Sequence, residues 1–374
     1  MKLLIIGQGE SIHTVKFLNA LRRFADPGAV VFYPSTPLPI SGAVMQLADV
    51  PTRNSFEGRI PAALYWHSVL RKARSPYSGD AESLKSLVDE FNPTHIHINC
   101  IQDAGYLLLD AIRLGLSLKG RRVSLSIWGN DLYLFQHEAS HRALITEFLR
   151  HVDVILPESS RDVWLARQFG YVGLFSALIQ ATFFCKGDIR VDANLDRKRN
   201  LFIFKSDRAS GRSFSLTALE AFRTRAERSS ELIEVLFLNP NIFEERALSN
   251  LRQLPNVQVV TAGNIQQESY FDILSSAKAL FSITLSDGVP NSFLEALSLN
   301  VIPVFSKYAA LGDWCDIATF FQVDPLDSVD VCRVVDRVFN LNDEQLSAIT
   351  SRNAAALEVY NENYVSKVIR SVFC

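Results

Sequence analysis

The sequence predicts an α/β protein built from two doubly wound domains. Short apolar runs of strand length alternate with amphipathic runs of helical length, and this alternation starts again at Leu201 after a polar stretch. Such alternation is typical of parallel sheets that are covered by helices on both faces. The length supports the same conclusion, because 374 residues are more than one ordinary domain uses.

The domain boundaries follow from this pattern. We predict an N-terminal domain over 1–180, a linker over 181–199 and a C-terminal domain over 200–350, followed by a helical segment over 351–374. The linker is assigned because Lys186–Arg199 is polar and charged and lacks the apolar periodicity of its surroundings.

In the first half, apolar runs bounded by turn residues predict strands, and apolar residues at helical spacing predict helices. The predicted strands are Lys2–Ile6, Val30–Tyr33, Pro93–Asn99, Arg122–Ile127 and Val152–Pro157, the last one in its domain, and the helices are Val15–Phe24, Leu84–Phe91 and Arg161–Phe169. Several prolines between 34 and 61 predict an irregular excursion.

The same reasoning gives the second half. The predicted strands are Leu201–Phe204, Ile233–Leu238, Val257–Ala262, Ala279–Leu285, Val301–Phe305 and Ala318–Val323, and the helices are Ser215–Arg225, Gln267–Ala277, Ser292–Asn300, Leu326–Leu341, Glu344–Val359 and Glu362–Val372.

Composition and charge exclude several classes of protein. The formal net charge of −2 argues against a nucleic-acid binder. Five scattered cysteines without a C-x-x-C pair indicate reduced thiols. The opening MKLLIIG is too short for the apolar core of a signal peptide, and no apolar run approaches the length that spans a membrane. We therefore expect a cytoplasmic protein.

Two carboxylates, Asp287 and Glu295, flank a loop between a predicted strand and a predicted helix. Ser292 and Glu295 form a capping-box pattern, which predicts that the helix begins at Ser292. Ligands of open α/β sheets bind at the carboxyl ends of strands and at helix N-termini, so this loop is a candidate site. The alternative is that Glu295 only caps the helix and Asp287 only serves a turn.

Cations follow the first strand of the second half. Lys205 ends the run Leu201–Phe204, and Arg208 and Arg212 stand in the next loop. Cations at the mouth of a strand–helix unit suit a diphosphate leaving group, on which negative charge builds as its bond breaks. Plain surface charge is the alternative.

The pattern D-G-x-P-N-x-x-x-E over 287–295 resembles the E-x7-E element of retaining GT-B glycosyltransferases of the family-4 type, and G-x-G-x-S-I-H-T over 7–14 resembles their opening loop. The resemblance implies two Rossmann-like domains facing across a cleft, with a C-terminal helix that packs back toward the first domain. A dinucleotide fingerprint fits the opening loop poorly, because Ile12 occupies the third glycine position.

The resemblance also implies roles in donor binding. Asp287 would fix the sugar with loop amides, Glu295 would hold the ribose, and Lys205 with Arg212 would neutralise the diphosphate. The full set of donor-binding residues implied is Gly9, Lys205, Arg212, Asn264, Ile265, Asp287, Gly288, Val289, Asn291 and Glu295. Pro290 departs from glycine-rich relatives because it offers no N–H.

In the first half, the resemblance implies catalytic roles for His13 and Asp131 beside that of Asp287, and an acceptor side that contains Ser11, His97 and Trp128. Trp128 stands where the family's H-G-x-D element has histidine, so the role of that histidine is not carried over. The alternatives are that Ser11 and Asp131 only cap helices and that His13 is a surface residue. His95 and His97 share a strand face, but no third metal ligand stands near them.

The implied activity is transfer of a sugar from a nucleotide diphosphate sugar to an acceptor hydroxyl with retention of configuration. The implied acceptor is a lipid-linked or growing surface glycan, as in lipopolysaccharide assembly, and neither a metal nor a cofactor is expected. The alternatives are a nucleotide-sugar epimerase or phosphorylase of the same fold and a non-catalytic nucleotide-sugar-binding subunit.

A peripheral contact with the inner face of the membrane is a further expectation. The segment Ile60–Lys72 mixes aromatic and basic residues, as do helices that lie on anionic lipid, and a basic cluster stands in the same half at Arg113, Lys119, Arg121 and Arg122. The alternative is that the segment packs on its own domain.

Overall fold

The computed structural model describes residues 1–8, 11–25, 29–35, 80–189, 200–206, 213–263, 265 and 267–374. The chain forms two compact units. The N-terminal unit comprises Met1–Phe184 and Glu362–Cys374, and the C-terminal unit comprises Cys185–Asn361. The predicted segment 351–374 therefore divides between the units after residue 361.

The N-terminal unit is a six-stranded parallel sheet in the order β2-β1-β3-β4-β5-β6. Its elements are β1 (Lys2–Gly7), α1 (Ile12–Phe24), β2 (Ala29–Pro34), α2 (Asp80–Phe91), β3 (His95–Asn99), α3 (Tyr106–Arg113), β4 (Arg122–Ser126), α4 (Ala139–Leu149), β5 (Val154–Leu156), α5 (Ser160–Gln168) and β6 (Leu174–Phe175). The strand order reverses between β1 and β3.

The C-terminal unit has the strand order β9-β8-β7-β10-β11-β12, also parallel throughout. Its elements are β7 (Leu201–Lys205), α6 (Ser215–Ala226), β8 (Ile233–Leu238), α7 (Ile242–Leu251), β9 (Val257–Ala262), α8 (Gln267–Ser276), β10 (Ala279–Ser282), α9 (Asn291–Ser298), β11 (Ile302–Ser306), β12 (Phe321–Val323), α10 (Ser328–Phe339) and α11 (Asp343–Ala356). The order reverses between β7 and β10, and such a switch point is where doubly wound sheets bind ligands.

The predicted α/β class with two doubly wound sheets is confirmed, and two local predictions were wrong. The run 152–157 is not the last strand of its sheet, because the two-residue strand β6 pairs with β5 at Val154↔Leu174. A strand this short leaves no readable alternation in the sequence. Helix α1 begins at Ile12 rather than Val15, since the Ser11 side chain accepts a hydrogen bond from the His13 backbone N–H at 3.2 Å.

The last helix, α12 (Glu362–Phe373), belongs to the N-terminal unit. The Tyr364 hydroxyl donates to the Leu178 carbonyl at 2.6 Å, and Arg370 Nε donates to the Phe24 carbonyl at 3.1 Å. The core of this unit is therefore completed by residues that lie far away in the sequence.

Most of the predicted basic cluster is committed to contacts inside the N-terminal unit. Arg113 pairs with Glu147 at 2.6 Å, and Arg121 donates to the Ser117 carbonyl at 2.6 Å. Arg122 likewise donates to the Val372 carbonyl at 3.2 Å. The segment Ile60–Lys72 lies outside the described residues. Within the described part of the chain, no helix is both long enough and apolar enough to cross a bilayer.

Candidate functional site

The switch point of the C-terminal unit brings Lys205 close to the chain that leads to Asp287. Strands β7 and β10 are hydrogen-bonded neighbours, with Phe204 opposite Phe281, so both end at the same edge of the sheet. Lys205 is the last residue of β7 and is half-buried. Beyond β10, Thr284 forms an isolated bridge with Ser213, just before α6. The predicted cation and the predicted acidic loop therefore share one ligand-binding edge.

The acidic loop is held by backbone contacts. Asp287 forms a parallel bridge with Ala309, and the Ala310 N–H reaches the carbonyls of Asp287 at 3.2 Å and Gly288 at 2.9 Å. Asp287 Oδ1 accepts from the Gly288 N–H at 2.9 Å. The Gly288 amide that was predicted to meet the donor is thus engaged by its own neighbour in this structure.

The start of α9 differs from the prediction. The helix begins at Asn291 with Pro290 as its N-cap, and no side chain caps it, so the predicted capping box of Ser292 and Glu295 is wrong. Pro290 already has the extended backbone of an N-cap, with φ −65° and ψ 139°, which starts the helix one residue earlier. The Ser292 hydroxyl is consequently buried and has no hydrogen-bond partner among the described residues.

Glu295 lies in the middle of α9 and is only 6% exposed. Tyr270 of α8 lies beside it, and burial, reinforced by the Glu295 carboxylate, raises the pKa of Tyr270 well above its usual range. No sequence pattern pointed to Tyr270, because a single tyrosine in an amphipathic helix has the appearance of an ordinary packing residue. Glu295 is thus a mostly enclosed carboxylate at the ligand edge, with a phenol beside it.

Of the six other predicted donor residues, the structure describes three. Val289 and Asn291 are buried, and Ile265 is half-buried in the connection between β9 and α8. The predictions for Gly9, Arg212 and Asn264 lie outside the described residues.

In the N-terminal unit, His13 and Trp128 meet at the carboxyl edge of the sheet. His13 lies in the first turn of α1 and Trp128 follows β4, and their rings make an edge contact with centroids 5.6 Å apart. His13 is exposed, and Ser11 caps the same helix. The Trp128 indole N–H is buried without a partner among the described residues. These three predicted residues therefore lie at or near one patch of this unit.

Asp131, which was predicted to be catalytic, is held by backbone amides in this structure. It is 3% exposed, and its Oδ2 accepts from the Trp128 N–H at 3.0 Å and the Ile101 N–H at 3.1 Å. Burial raises the pKa of Asp131 well above its usual range. Because the carboxylate accepts hydrogen bonds from two backbone amides, it fixes the Trp128 loop against the end of β3.

His97, which was predicted to lie on the acceptor side, does not face solvent in this structure. His97 is fully buried, hydrogen-bonded to Ser124 at 2.8 Å and Asn99 at 3.0 Å, and stacked on Phe17 at 4.7 Å. Phe373 of α12 closes the remaining side, with ring centroids 5.0 Å apart. The strand face was predicted correctly, but a helix from the end of the chain covers it.

The buried histidines predict a loss of stability in acid. Burial, reinforced by Arg122, lowers the pKa of His95 from 6.5 to about 4, and burial lowers the pKa of His97 well below its usual range. Between pH 6.5 and about 4 the unfolded chain therefore binds more protons than the folded chain. The free energy of unfolding consequently decreases as the pH is lowered through this window. For His95 alone the loss is about 3 kcal/mol.

Urea denaturation of wild type and His95→Gln at a series of pH values measures this effect. The variant removes the titrating ring, so its free energy of unfolding should fall less steeply below pH 6.5, whatever its stability at neutral pH. Equal slopes for the two proteins would contradict the prediction.

No group of three or more His, Cys, Asp or Glu side chains among the described residues is arranged to hold a metal ion. The pair His95 and His97, whose ring nitrogens bind Ser124, is accounted for by hydrogen bonds within the core.

Comparison with known proteins identifies the fold. No protein-family model matches the sequence, and no curated protein matches it either. Solved structures do match over nearly the whole chain. Anabaena HepE in complex with UDP has a TM-score of 0.71 at 11% identity, covering 99% of both chains.

Two further structures agree. The lipopolysaccharide outer core galactosyltransferase WaaB has a TM-score of 0.64 at 12% identity, covering 100% of this chain and 99% of WaaB. Sucrose-phosphate synthase from Thermosynechococcus elongatus has a TM-score of 0.66 at 13% identity, covering 100% of this chain and 98% of the synthase. The chain therefore has the GT-B fold, an α/β architecture with two Rossmann-like units.

Proposed function

We propose that this protein is a glycosyltransferase that moves a sugar from a nucleoside diphosphate sugar to an acceptor hydroxyl with retention of anomeric configuration. The observation that carries the proposal is that Lys205 and the Asp287–Glu295 loop follow two neighbouring strands, β7 and β10, at the switch point of the sheet. Structures of the same fold include complexes with UDP and with UDP-glucose, which supports a nucleotide sugar as donor.

Each group has a role that matches its chemistry. Glu295, an enclosed carboxylate, accepts hydrogen bonds from the ribose hydroxyls. Lys205, with Arg212, neutralises the charge that builds on the leaving diphosphate. The Ser292 hydroxyl, at the positive end of an uncapped helix, donates to a phosphate oxygen. Asp287 binds the sugar hydroxyls, and neither metal nor cofactor is part of the proposal.

The acceptor side of the proposal rests on the N-terminal unit. His13 presents an exposed imidazole at its carboxyl edge, the Trp128 ring lies against it, and Ser11 caps the helix that carries His13. We propose a glycan or lipid-linked acceptor of the surface-polysaccharide kind and a cytoplasmic protein that touches the inner membrane face peripherally.

Thermal denaturation in the presence of nucleotides tests the donor site. We expect one of UDP, GDP and ADP to stabilise the wild type, by about 2.7 kcal/mol at 100 times its dissociation constant. Glu295→Gln keeps the size of the side chain but removes the carboxylate, so most of this stabilisation should be lost. The exposed Glu344 provides a matched control, and Glu344→Gln should respond like the wild type.

Turnover distinguishes transfer from the other activities of such a fold. Release of nucleoside diphosphate that depends on an added glycan acceptor supports a transferase. Interconversion of the free donor indicates an epimerase, and binding without turnover indicates a sensor subunit. If only NAD stabilises the protein, or if Glu295→Gln responds like the wild type, the donor site is not where we propose it.

A further inference from the structure

Glu244 is a fully buried carboxylate in the first turn of α7. Its two oxygens have different partners. Oε2 accepts from the Asn241 backbone N–H at 2.9 Å, while the Asn241 side chain accepts from the N–H groups of Phe243 and Glu244, which completes a capping box. Oε1 instead accepts from two hydroxyls outside the helix, Ser206 at 2.9 Å and Ser213 at 2.8 Å.

The contacts of Oε1 are more than capping requires. A capping box is complete with Oε2 alone, and caps of this kind commonly sit at the surface. Burying a carboxylate is costly unless its oxygens are hydrogen-bonded, so the two serine hydroxyls offset that cost. The buried Glu244 carboxylate thus holds two segments outside its own helix, one that carries Ser206 and one that carries Ser213.

The two serines lie at the two ends of the connection between β7, which ends in Lys205, and α6. Ser206 directly follows Lys205, and Ser213 lies just before Phe214, the N-cap of α6. Ser213 also bridges Thr284, and the next residue, Phe214, donates its N–H to the Ile283 carbonyl at 2.9 Å. One carboxylate therefore ties the end of β7 to the start of α6 and, through Ser213, to the chain that leads into the acidic loop.

We propose that Glu244 is a positioning residue that fixes the ends of the β7–α6 junction and so holds Lys205 in place for the diphosphate of the donor. This inference rests on the proposed function, because it assumes that Lys205 meets that diphosphate. Glu244 itself touches no substrate in this proposal.

Substitutions on the two sides of Glu244 separate positioning from stability. Ser206→Ala with Ser213→Ala removes the bonds to Oε1 and leaves the capping box intact. Asn241→Ala weakens the capping box and leaves the serine bonds intact. The milder single variant Ser213→Ala serves if the double variant does not fold, and Glu245→Gln, at the partly exposed neighbouring carboxylate, is the matched control for Glu244→Gln.

The readout is affinity for the nucleoside diphosphate that best stabilises the wild type, set against affinity for the monophosphate of the same base, both by calorimetric titration. The double serine variant and Glu244→Gln should bind the diphosphate roughly tenfold more weakly, the scale of a lost hydrogen bond to a charged group. Monophosphate affinity should change less, while Asn241→Ala and Glu245→Gln should keep the wild-type ratio of the two affinities.

A double-mutant cycle with Lys205→Ala tests whether Glu244 affects diphosphate binding through Lys205. If Glu244 acts through Lys205, the serine substitutions should change diphosphate affinity less than about twofold in the Lys205→Ala background. Full additivity, or equal losses for both nucleotides, would overturn the positioning role. A wild type that binds none of the diphosphates would instead overturn the proposed function, and the inference with it.

Discussion

Lys205→Ala is expected to lower kcat by roughly 100- to 1,000-fold, the cost of removing one preorganised group that stabilises developing charge. Lys205 ends β7 at the switch point and is only half-exposed, so water does not fully screen its charge. Its charge is needed most when the diphosphate leaves, which is why kcat should fall more than the affinity for the donor. Steady-state kinetics with donor and acceptor both varied measure the two effects.

The conservative variant separates charge from shape. Lys205→Arg keeps the cation at the end of β7, so it should retain most of the activity. Thermal denaturation without ligand should be similar for both variants, because Lys205 stands at the end of β7 and forms no ion pair with another residue in the described part of the chain. Turnover of Lys205→Ala within threefold of wild type would remove Lys205 from the leaving-group site.

The local parts of the candidate site could be predicted from the sequence. A strand that ends in Lys205 and a strand that leads to Asp287 are both short apolar runs followed by polar residues, and in a parallel sheet their ends meet at one edge. What the sequence alone could not decide was that β7 and β10 are neighbours, because strand order depends on packing across the whole sheet.

The sequence could not show the local structure where competing signals or distant contacts decide it. Ser292 and Glu295 have capping-box spacing, but Pro290 starts the helix earlier and leaves the serine hydroxyl inside. His97 and Asp131 have the pattern of site residues, yet one lies beneath Phe373 and the other binds backbone amides of two separate loops. Alternation along a strand gives the face of a side chain but not what covers that face.

Glu244 shows that a sequence pattern does not predict long-range contacts. The spacing of Asn241 and Glu244 is readable as a capping box, and the structure contains one. The contacts of Glu244 with Ser206 and Ser213, which give it a further role, join residues 38 and 31 positions away. A sequence pattern can therefore predict a carboxylate's local partner while leaving its long-range partners unknown.

The largest effect on stability is expected for Phe373→Ala in α12. Phe373 is fully buried, stacks on His95 with centroids 5.4 Å apart and meets the edges of the Phe17 and His97 rings. Removing a buried phenyl ring leaves a cavity and typically costs about 3–5 kcal/mol. Because the ring joins the end of the chain to β3 and α1, the loss should fall on the N-terminal unit.

Hydrogen exchange measured by mass spectrometry can assign that loss to one unit, which a single melting curve of a two-unit protein cannot. In Phe373→Ala, amides of α12 and β3 should exchange faster, whereas amides of β7 and β10 should exchange as in the wild type. Phe243, which is 69% exposed, provides the control, and Phe243→Ala should change stability by no more than about 0.5 kcal/mol. Unchanged protection of α12 in Phe373→Ala would mean that the other contacts of this helix, from Tyr364 and Arg370, suffice to hold it against the sheet.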